Sequence, residues 1–321
     1  MNKKFLAACF AAASTISVSA LAQTYPDRPV RVIQGYAAGG NADTIARVVG
    51  AEMSKELKQS FVIESQSGAG GTIAAGYVAR SKPDGYTLLL ATGGHAVADA
   101  LYKKLSYHSV DSFHMISTIT YFPFLWVVPA DSKYSTLAEV LKAARSEGQN
   151  ITYGTAGVGT THHLAGELLN KSAKVKMVHV PYRGDAASVV ALLGHQVDMI
   201  IAPPTAVISY IQSGRLKALA TTGPERWPTL PNVPTVAEQG VPGYDVRSWA
   251  GLMAPAGTPD SVVQILNTAV QHALKVQAVK TRLETMGGEA KGSTPEEMTA
   301  MVRNEVKKWG TVAAEAGIPK Q

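Results

Sequence analysis

Residues 30–57 form a complete strand–loop–helix unit, and this unit constrains the fold more than any other stretch. Residues 30–33 are rich in β-formers, and the loop at residues 35–40 contains three glycines. Apolar residues then recur at helical spacing, which predicts a helix beginning at Asn41 or Asp43. Such a unit points free N–H groups and the positive end of a helix dipole beyond the loop. The unit therefore predicts either an anion site or only a tight strand-to-helix turn.

The same pattern returns along the chain. Gly-rich loops follow predicted strands at residues 68–71, 92–95 and 154–161. Because the carboxyl ends of parallel strands meet at one edge, the loops at residues 35–40, 68–71 and 92–95 should converge on one rim of an α/β sheet. None of the loops is a nucleotide signature, since GAGG lacks both the GxGxxG spacing and the P-loop ending, and residues 154–159 are spaced GxxGxG.

The first residues predict a secretory signal peptide rather than part of the fold. Lys3 and Lys4 precede an apolar run, and Ala20-Leu21-Ala22 is an A-x-A cleavage signature, so cleavage is expected after about Ala22. Cys9, the only cysteine, would leave with this segment. The mature chain would then have neither disulfides nor thiol chemistry, and would depend on its core for stability.

Composition limits the classes of function. After residue 22 no apolar run reaches the roughly 18 residues that a membrane helix needs, so we expect the mature chain to be soluble. Loss of Lys3 and Lys4 would lower the formal net charge from +6 to +4. The basic residues are dispersed, which argues against nucleic acid and mildly favours small anionic ligands.

The order of elements predicts two lobes joined by two crossover strands. Residues 121–128 read as one strand that leaves the first lobe, and residues 245–255 read as the strand that returns to it. We therefore predict a signal peptide at 1–22, lobe 1 at 23–122 plus 247–321, and lobe 2 at 123–246. Thr136-x-x-Glu139 and Thr294–Glu297 are predicted capping boxes, and Thr258-Pro259 is predicted to cap a further helix. The two helices that begin after Thr258-Pro259 and Thr294 should cover the first lobe, with a ligand cleft between the lobes.

His163, Glu167 and Arg183 lie near the loops and can each be interpreted as a functional or as a structural residue. His163 and Glu167 lie four residues apart on one predicted helix face, but neither an HExxH motif nor a third ligand is evident, so no metal site is predicted. Arg183 follows a predicted strand and either clamps a ligand carboxylate or pairs with Asp185 or Asp198.

Several motifs together resemble the substrate-binding proteins of tripartite tricarboxylate transporters, the Bug family. They lie in family order over nearly the whole mature chain: YPDRPV (25–30), AGGxxD (38–43), GAGG (68–71), PDGY (83–86), HLAGE (163–167), VPYRG (180–184), LPNVPT (230–235), Trp249 and APAGTP (254–259).

The resemblance implies a type II, Venus-flytrap periplasmic binding protein that closes on a small carboxylate. It further implies a monomer without cofactors, whose partners are the large and small inner-membrane subunits of a transporter. In such proteins the first lobe holds one carboxylate through backbone amides and water, and the second lobe selects the rest of the ligand. The implied ligand-binding residues are Tyr36, Ala38, Gly39, Gly40, Asp43, Ala69, Gly70, Gly71, Thr92, His95, Gly159, Thr160, Thr161, His162, Arg183 and Ala202.

The chain departs from the family pattern in two places. Gly35 stands where a proline is common ahead of the aromatic residue Tyr36. Residues 202–204 contain no acid, whereas an ammonium group would need a carboxylate. Unless Asp185 or Asp198 supplies one, a dicarboxylate without an amine is predicted. An aromatic ligand such as terephthalate is a further possibility if aromatic side chains line the cleft rather than pack in the core.

Two other functions compete with transport. A periplasmic sensor subunit would use the same cleft closure to signal to a membrane kinase, and the sequence does not separate the two. An exported enzyme is disfavoured, because the chain shows no GxSxG motif, no activated thiol and no paired carboxylates at a loop. We therefore predict a receptor and no enzymatic activity.

Overall fold

The computed structural model describes residues 25–146, 151–315, 317–318 and 320. The predicted signal peptide and its cleavage site lie outside these residues. Within the described part of the chain, no helix combines the length and the hydropathy needed to cross a membrane.

Strands and helices alternate over most of the chain. The strands are β1 Val30–Gln34, β2 Phe61–Ser65, β3 Thr87–Thr92, β4 Phe113–Pro123, β5 Leu125–Pro129, β6 Thr152–Thr155, β7 Val178–Pro181, β8 Met199–Ala202, β9 Leu216–Thr221, β10 Arg247–Pro255 and β11 Glu289–Ala290. The helices are α1 Asn41–Leu57, α2 Thr72–Ala79, α3 Gly94–Leu101, α4 Leu137–Arg145, α5 Thr161–Ala173, α6 Asp185–Leu193, α7 Pro204–Gln212, α8 Asp260–Ala273, α9 Gln277–Thr285 and α10 Pro295–Glu315.

The first lobe is built on a six-stranded sheet in the order β11-β4-β10-β3-β1-β2. β1 is parallel to β2 and β3, whereas β10 runs antiparallel to β3 and β4. Ala250 lies opposite Thr92, so the start of β10 meets the carboxyl end of β3. The loops after β1, β2 and β3 therefore share one edge of this sheet, as the sequence predicts.

The second lobe is built on a five-stranded sheet in the order β7-β6-β8-β5-β9. β6 is parallel to β7 and β8, and β5 runs antiparallel to β8 and β9. Leu125 lies opposite both Ala202 and Thr221, so the start of β5 meets the carboxyl ends of its two neighbours. This edge is the counterpart of the loop-bearing edge in the first lobe. The two-lobed α/β architecture predicted from the sequence is confirmed.

The first crossover differs from the single strand predicted at residues 121–128. β4 ends at Pro123 in the first sheet and β5 begins at Leu125 in the second, so Phe124 belongs to neither. Its N–H donates to Thr222 Oγ1 (2.8 Å), and the Thr222 hydroxyl donates to the carbonyl of Val246 (2.6 Å). Thr222 thus ties the two crossovers together. The exact lobe boundaries stay a prediction.

Helix capping follows the sequence at two of three predicted sites. Thr136 with Glu139, and Thr294 with Glu297, form the reciprocal hydrogen bonds of a capping box. The predicted cap at Thr258 is wrong, because its hydroxyl donates to the carbonyl of Pro255 instead (2.8 Å). The sequence interpretation also placed residues 92–95 in a loop, whereas α3 begins at Gly94.

The C-terminal helix α10 touches both lobes. It packs on α3 and β4 of the first lobe and on α5 of the second. Trp309, on this helix, is fully buried. Lys308 donates to the carbonyl of Asp245 (3.2 Å) in the second crossover, and Lys171 of α5 pairs with Glu315. α10 therefore covers the first lobe, as expected, but also reaches beyond it.

Candidate functional site

The loop-bearing edges of the two lobes lie against each other. A Cβ atom placed on Gly70 would lie 3.2 Å from the carbonyl oxygen of Gly159, in the opposite lobe. A Cβ on Gly93 would lie 2.8 Å from Thr161 Oγ1. Thr205 Oγ1 donates across the same boundary to Asn41 Oδ1 (3.4 Å). The cleft between the lobes is therefore closed in this structure.

Six helices begin along this cleft. Helices α1, α2 and α3 follow the three parallel strands of the first lobe, and α5, α6 and α7 follow β6, β7 and β8 of the second. First-turn N–H groups lack partners inside their own helix, and each N-terminus carries a partial positive charge. The cleft therefore favours an anion without needing a cationic side chain at each end.

Two backbone N–H groups of the first Gly-rich loop, residues 35–40, already donate hydrogen bonds to groups nearby in the chain. The N–H of Gly39 donates to Asp43 Oδ2 (3.0 Å), and that of Gly40 donates to the carbonyl of Ala37 (3.3 Å). Asp43 is buried and also accepts two hydrogen bonds from Arg47 (2.8 and 3.1 Å). Asp43 therefore positions the loop, and its role as a ligand contact stays a prediction. The amides left for a ligand are those of Ala38 and the first turn of α1.

The second Gly-rich loop is a short turn of 3-10 helix held by Tyr36. Ala69–Gly71 forms this turn, with the N–H of Gly71 donating to the carbonyl of Gly68 (2.9 Å). The Tyr36 hydroxyl lies 3.2 Å from the carbonyl oxygen of Gly70 and 2.9 Å from Thr92 Oγ1. Burial raises the pKa of Tyr36, so its phenol stays protonated. The structure brings these predicted residues of the first lobe together at the cleft.

His95 is not brought into this group. Its Nε2 lies 2.8 Å from the carbonyl oxygen of Ser109, and its ring stacks on Tyr107 at 5.5 Å. Phe113 contacts the same ring edge-on at 5.0 Å. Burial lowers the pKa of His95, so the ring is neutral. In this structure the His95 side chain packs away from the loops, and its role as a ligand contact stays a prediction.

In the second lobe the loop before α5 presents backbone and hydroxyl groups to the cleft. Thr160 caps the helix, accepting from the N–H of His163 (3.3 Å) and donating to the carbonyl of Gly157 (2.7 Å). Its hydroxyl is therefore occupied. Gly159 has a φ of +83°, a conformation that L side chains rarely adopt. Thr161, buried against Gly93, lies where the two lobes meet.

His163 and Glu167 have structural partners rather than a metal. The His163 ring stacks on His179 at 4.3 Å, and Glu167 accepts a hydrogen bond from the Tyr153 hydroxyl (2.6 Å). Burial and the neighbouring His163 lower the pKa of His179 to about 3. Among the described residues, no three His, Cys, Asp or Glu side chains are grouped to hold a metal ion.

His162 and Asp185 form an unsatisfied pair at the cleft. His162 Nε2 lies 3.4 Å from Asp185 Oδ1, but the geometry does not make a hydrogen bond. Those two atoms and His162 Nδ1 are shielded from solvent without a hydrogen-bond partner in the described chain. Burial lowers the pKa of His162 and raises the pKa of Asp185. Phe124 covers the histidine, with ring centroids 4.3 Å apart.

Sequence reasoning considered Asp185 as a partner of Arg183 or of a ligand ammonium group, and missed its proximity to His162. The sequence does indicate that Asp185 lies at the cleft, because it directly follows Gly184 at the start of α6, as the other cleft residues follow strands at the starts of their helices. Arg183 itself is exposed and makes no ion pair or hydrogen bond within the described residues. Asp198 accepts instead from Thr152, so neither predicted ion pair of Arg183 forms. Ala202 lies fully buried at the carboxyl end of β8.

Comparison with family models gives one match. A model described as "Tripartite tricarboxylate transporter family receptor" matches residues 45–318. The match spans both lobes and most of the elements that build the cleft.

Comparison with known proteins gives relatives of nearly full length. The chain is 34% identical to Rpa4515 of R. palustris, solved with adipate, over 92% of this chain and 100% of that one, with a TM-score of 0.87. It is 36% identical to MatC of Rhodopseudomonas palustris, solved with malate, over 90% and 99%, with a TM-score of 0.83. It is 31% identical to BugT of Bordetella pertussis over 310 residues, 96% of this chain and 95% of that protein.

Proposed function

The chain belongs to the tripartite tricarboxylate transporter receptor family, and from this premise we propose that it binds a small dicarboxylate between its lobes and delivers it to a membrane transporter. The family is one of solute-binding receptors rather than of enzymes.

The observation that carries the proposal is the convergence of six helix N-termini on one closed cleft. Such an arrangement stabilises negative charge through backbone N–H groups and helix dipoles. Arg47, the cation on the first helix of this lobe, is paired with Asp43. One carboxylate would be held at Ala38 and the first turn of α1, with ordered water completing its hydrogen bonds. The second lobe would hold the other end of the ligand.

The class of ligand rests on the site and on the relatives. Two relatives of nearly full length were solved with adipate and with malate, both dicarboxylates without an amine. An aromatic dicarboxylate such as terephthalate is a further candidate, with Tyr36 at the cleft as an aromatic wall. Phe122, Phe124 and Trp126 are buried in the core, which is the default expected for such aromatic residues.

Delivery and location follow from the same premise. We place the mature protein in the periplasm after removal of residues 1–22. Its partners would be the large and small inner-membrane subunits of a tripartite transporter, which it would meet as a ligand-loaded monomer.

Ligand binding is tested by a thermal-shift screen of the chain from residue 23. The screen covers C4–C6 dicarboxylates, citrate, acidic amino acids, and aromatic mono- and dicarboxylates. A ligand at 100 times its Kd adds roughly 2.7 kcal/mol to the free energy of unfolding, which gives a clear shift. The diamide of adipic acid is the matched control, because it keeps the carbon skeleton and loses both charges. No shift with any carboxylate would overturn the proposal.

Delivery is tested by reconstituting the two membrane subunits in proteoliposomes. We expect uptake of the winning dicarboxylate only when the receptor is added. Binding without any receptor-dependent uptake would count against transport and favour the sensor interpretation.

A further inference from the structure

We propose that the His162–Asp185 pair takes up one proton when a dianionic dicarboxylate binds, and that this proton holds the distal carboxylate of the ligand. The inference deepens the proposed function and depends on it. It names the ionic form of the ligand and the second-lobe group that selects it.

The pair has the geometry of a site rather than of a structural contact. Elsewhere in the same lobe, Tyr153 bonds to Glu167 and Thr155 to His179, while Trp126, His163 and Thr221 each leave a single buried polar atom unpartnered. His162 and Asp185 differ because three such atoms lie together in the described structure, and such atoms are costly unless a ligand, ion or water satisfies them. The side chains are 13% and 29% exposed as a whole.

The charged and titratable groups around the pair do not neutralise Asp185. From the first lobe Tyr36 faces it, and burial keeps that phenol protonated. On the same helix as His162, His163 turns away to stack on His179. Arg183, on the same loop as Asp185, is exposed and forms no ion pair with it. In the described structure no lysine or arginine pairs with Asp185, which leaves His162 as its nearest titratable partner.

A second carboxylate placed here would face an uncompensated negative charge. If the pair gains one proton, two arrangements are possible: a neutral Asp185 acid that donates to the ligand, or a His162 cation beside an ionised Asp185. Coupled groups titrate as a unit, so both arrangements count as one proton on the pair. The proton comes from solvent, and no bond other than that to the proton is made or broken.

The pH dependence follows from the proton count. In an open, solvated cleft the ordinary pKa values are 3.8 for aspartate and 6.5 for histidine, so at pH 8.5 the pair holds almost no proton. Binding then requires uptake of one proton, and affinity falls tenfold for each further pH unit. Between pH 7.5 and 8.5 the affinity for a dicarboxylate should therefore fall by close to tenfold.

The test is calorimetric titration with malate and with adipate at pH 8. Each titration is repeated in two buffers with different enthalpies of ionisation, which yields the number of protons taken up. We expect close to one proton for the wild type. Asp185→Asn should reduce the uptake to less than half a proton and flatten the pH dependence. It should still bind the dicarboxylate, because the amide can donate a hydrogen bond without first gaining a proton.

Asp131→Asn is the matched control. Asp131 also lies close to a histidine, with 3.7 Å between its Oδ2 and His195 Nε2, but the two side chains are 74% and 62% exposed. This variant should keep both the proton uptake and the pH dependence of the wild type. Thermal unfolding of each variant checks that it is folded.

The outcomes separate the inference from the proposed function. Binding of malate or adipate with no proton uptake overturns the inference and leaves the receptor intact. If instead an amino acid binds without proton uptake and Asp185→Asn abolishes that binding, Asp185 is an ionised partner of an ammonium group, and the inference is again overturned. Only a failure of every carboxylate to bind would overturn the proposed function as well.

Discussion

The two edges that form the cleft treat their charged side chains in opposite ways. In the first lobe Asp43 is buried, and its two oxygens accept from Arg47 and from the N–H of Gly39. In the second lobe Asp185 and Arg183 are separated by one residue, yet they do not pair in the described structure. Both acids lie in the first turn of a helix. The same chemical group is therefore satisfied on one edge and unsatisfied on the other.

This difference separates anchoring from selection. A loop whose hydrogen bonds are already made keeps its shape before any ligand arrives, so the first edge can hold a carboxylate common to all ligands of the class. An edge with unmet polar groups rejects ligands that leave those groups unmet, because an unpaired buried group costs free energy. The second edge is therefore where ligand identity should be decided.

The largest expected effect is on binding, from Arg183→Ala. If the unpaired guanidinium serves a ligand carboxylate, its loss should weaken dicarboxylate binding by about 1.5–3 kcal/mol, since charged hydrogen bonds contribute that much. The free energy of unfolding should not change. Arg215→Ala is the control, because Arg215 is an exposed cation at the far end of β9 that packs on Tyr210. Equal affinities for the two variants would remove Arg183 from the site.

The next effect is on stability, from Asp43→Asn. Loss of the charged bonds to Arg47 should lower the free energy of unfolding by about 1–2 kcal/mol at pH 7, a value reduced because Arg47 is half exposed. Hydrogen bonding from Arg47, helped by the N–H of Gly39, lowers the pKa of Asp43. Its contribution is therefore complete above the ordinary carboxyl pKa and is lost as pH falls through the lowered value.

Urea unfolding from pH 7 down to pH 3 checks this sign. The difference between wild type and Asp43→Asn should shrink as the pH falls. Asp185→Asn should behave oppositely at pH 7, with no loss of stability, since burial already disfavours its charge. A stability loss at Asp185 as large as that at Asp43 would break the contrast between the two edges.

The smallest effect concerns the contact between the edges, tested with Gly70→Ala. Gly70 has a φ of +64°, and its Cβ would lie 3.2 Å from the carbonyl oxygen of Gly159. Gly214→Ala is matched, because its φ is +68° with nothing within 4 Å. Both variants should lose roughly 1 kcal/mol of stability from backbone strain. Only Gly70→Ala should also lose affinity, by about tenfold as closure is opposed; equal affinities would mean that the loops separate freely.

Much of the fold was accessible from the sequence because local signals agreed. The alternation of β-rich runs, Gly-rich loops and amphipathic stretches predicts the two sheets, and the threonine–glutamate spacing predicts two capped helices. The break at Phe124 was not accessible, because the bonds that hold it come from Thr222, far along the chain. Hydrophobic pattern alone does not report such a long-range partner.

The candidate site was predictable at the level of loops and less so at the level of side chains. Glycines and helix starts place Ala38, Gly70 and Thr161 at the cleft. His95 looked equally suitable because it follows a strand, but packing against Tyr107 turns it inward. Asp185 was considered only as a partner of Arg183 or of a ligand ammonium group, because its proximity to His162 depends on the tertiary packing of α5 and α6. Side-chain direction and solvent exclusion are tertiary properties, and residue order does not fix them.

The contacts of the C-terminal helix α10 should contribute equally to the affinity for every ligand. In the closed arrangement α10 packs on the first lobe and also on α5 of the second, and we expect the latter contact to be lost when the lobes separate. Its free energy then favours closure whichever ligand is bound. Weakening the pair between Lys171 and Glu315 should therefore lower every affinity by a common factor while the ranking of ligands stays the same. The affinity common to all ligands and the selectivity among ligands would thus depend on separate parts of the chain.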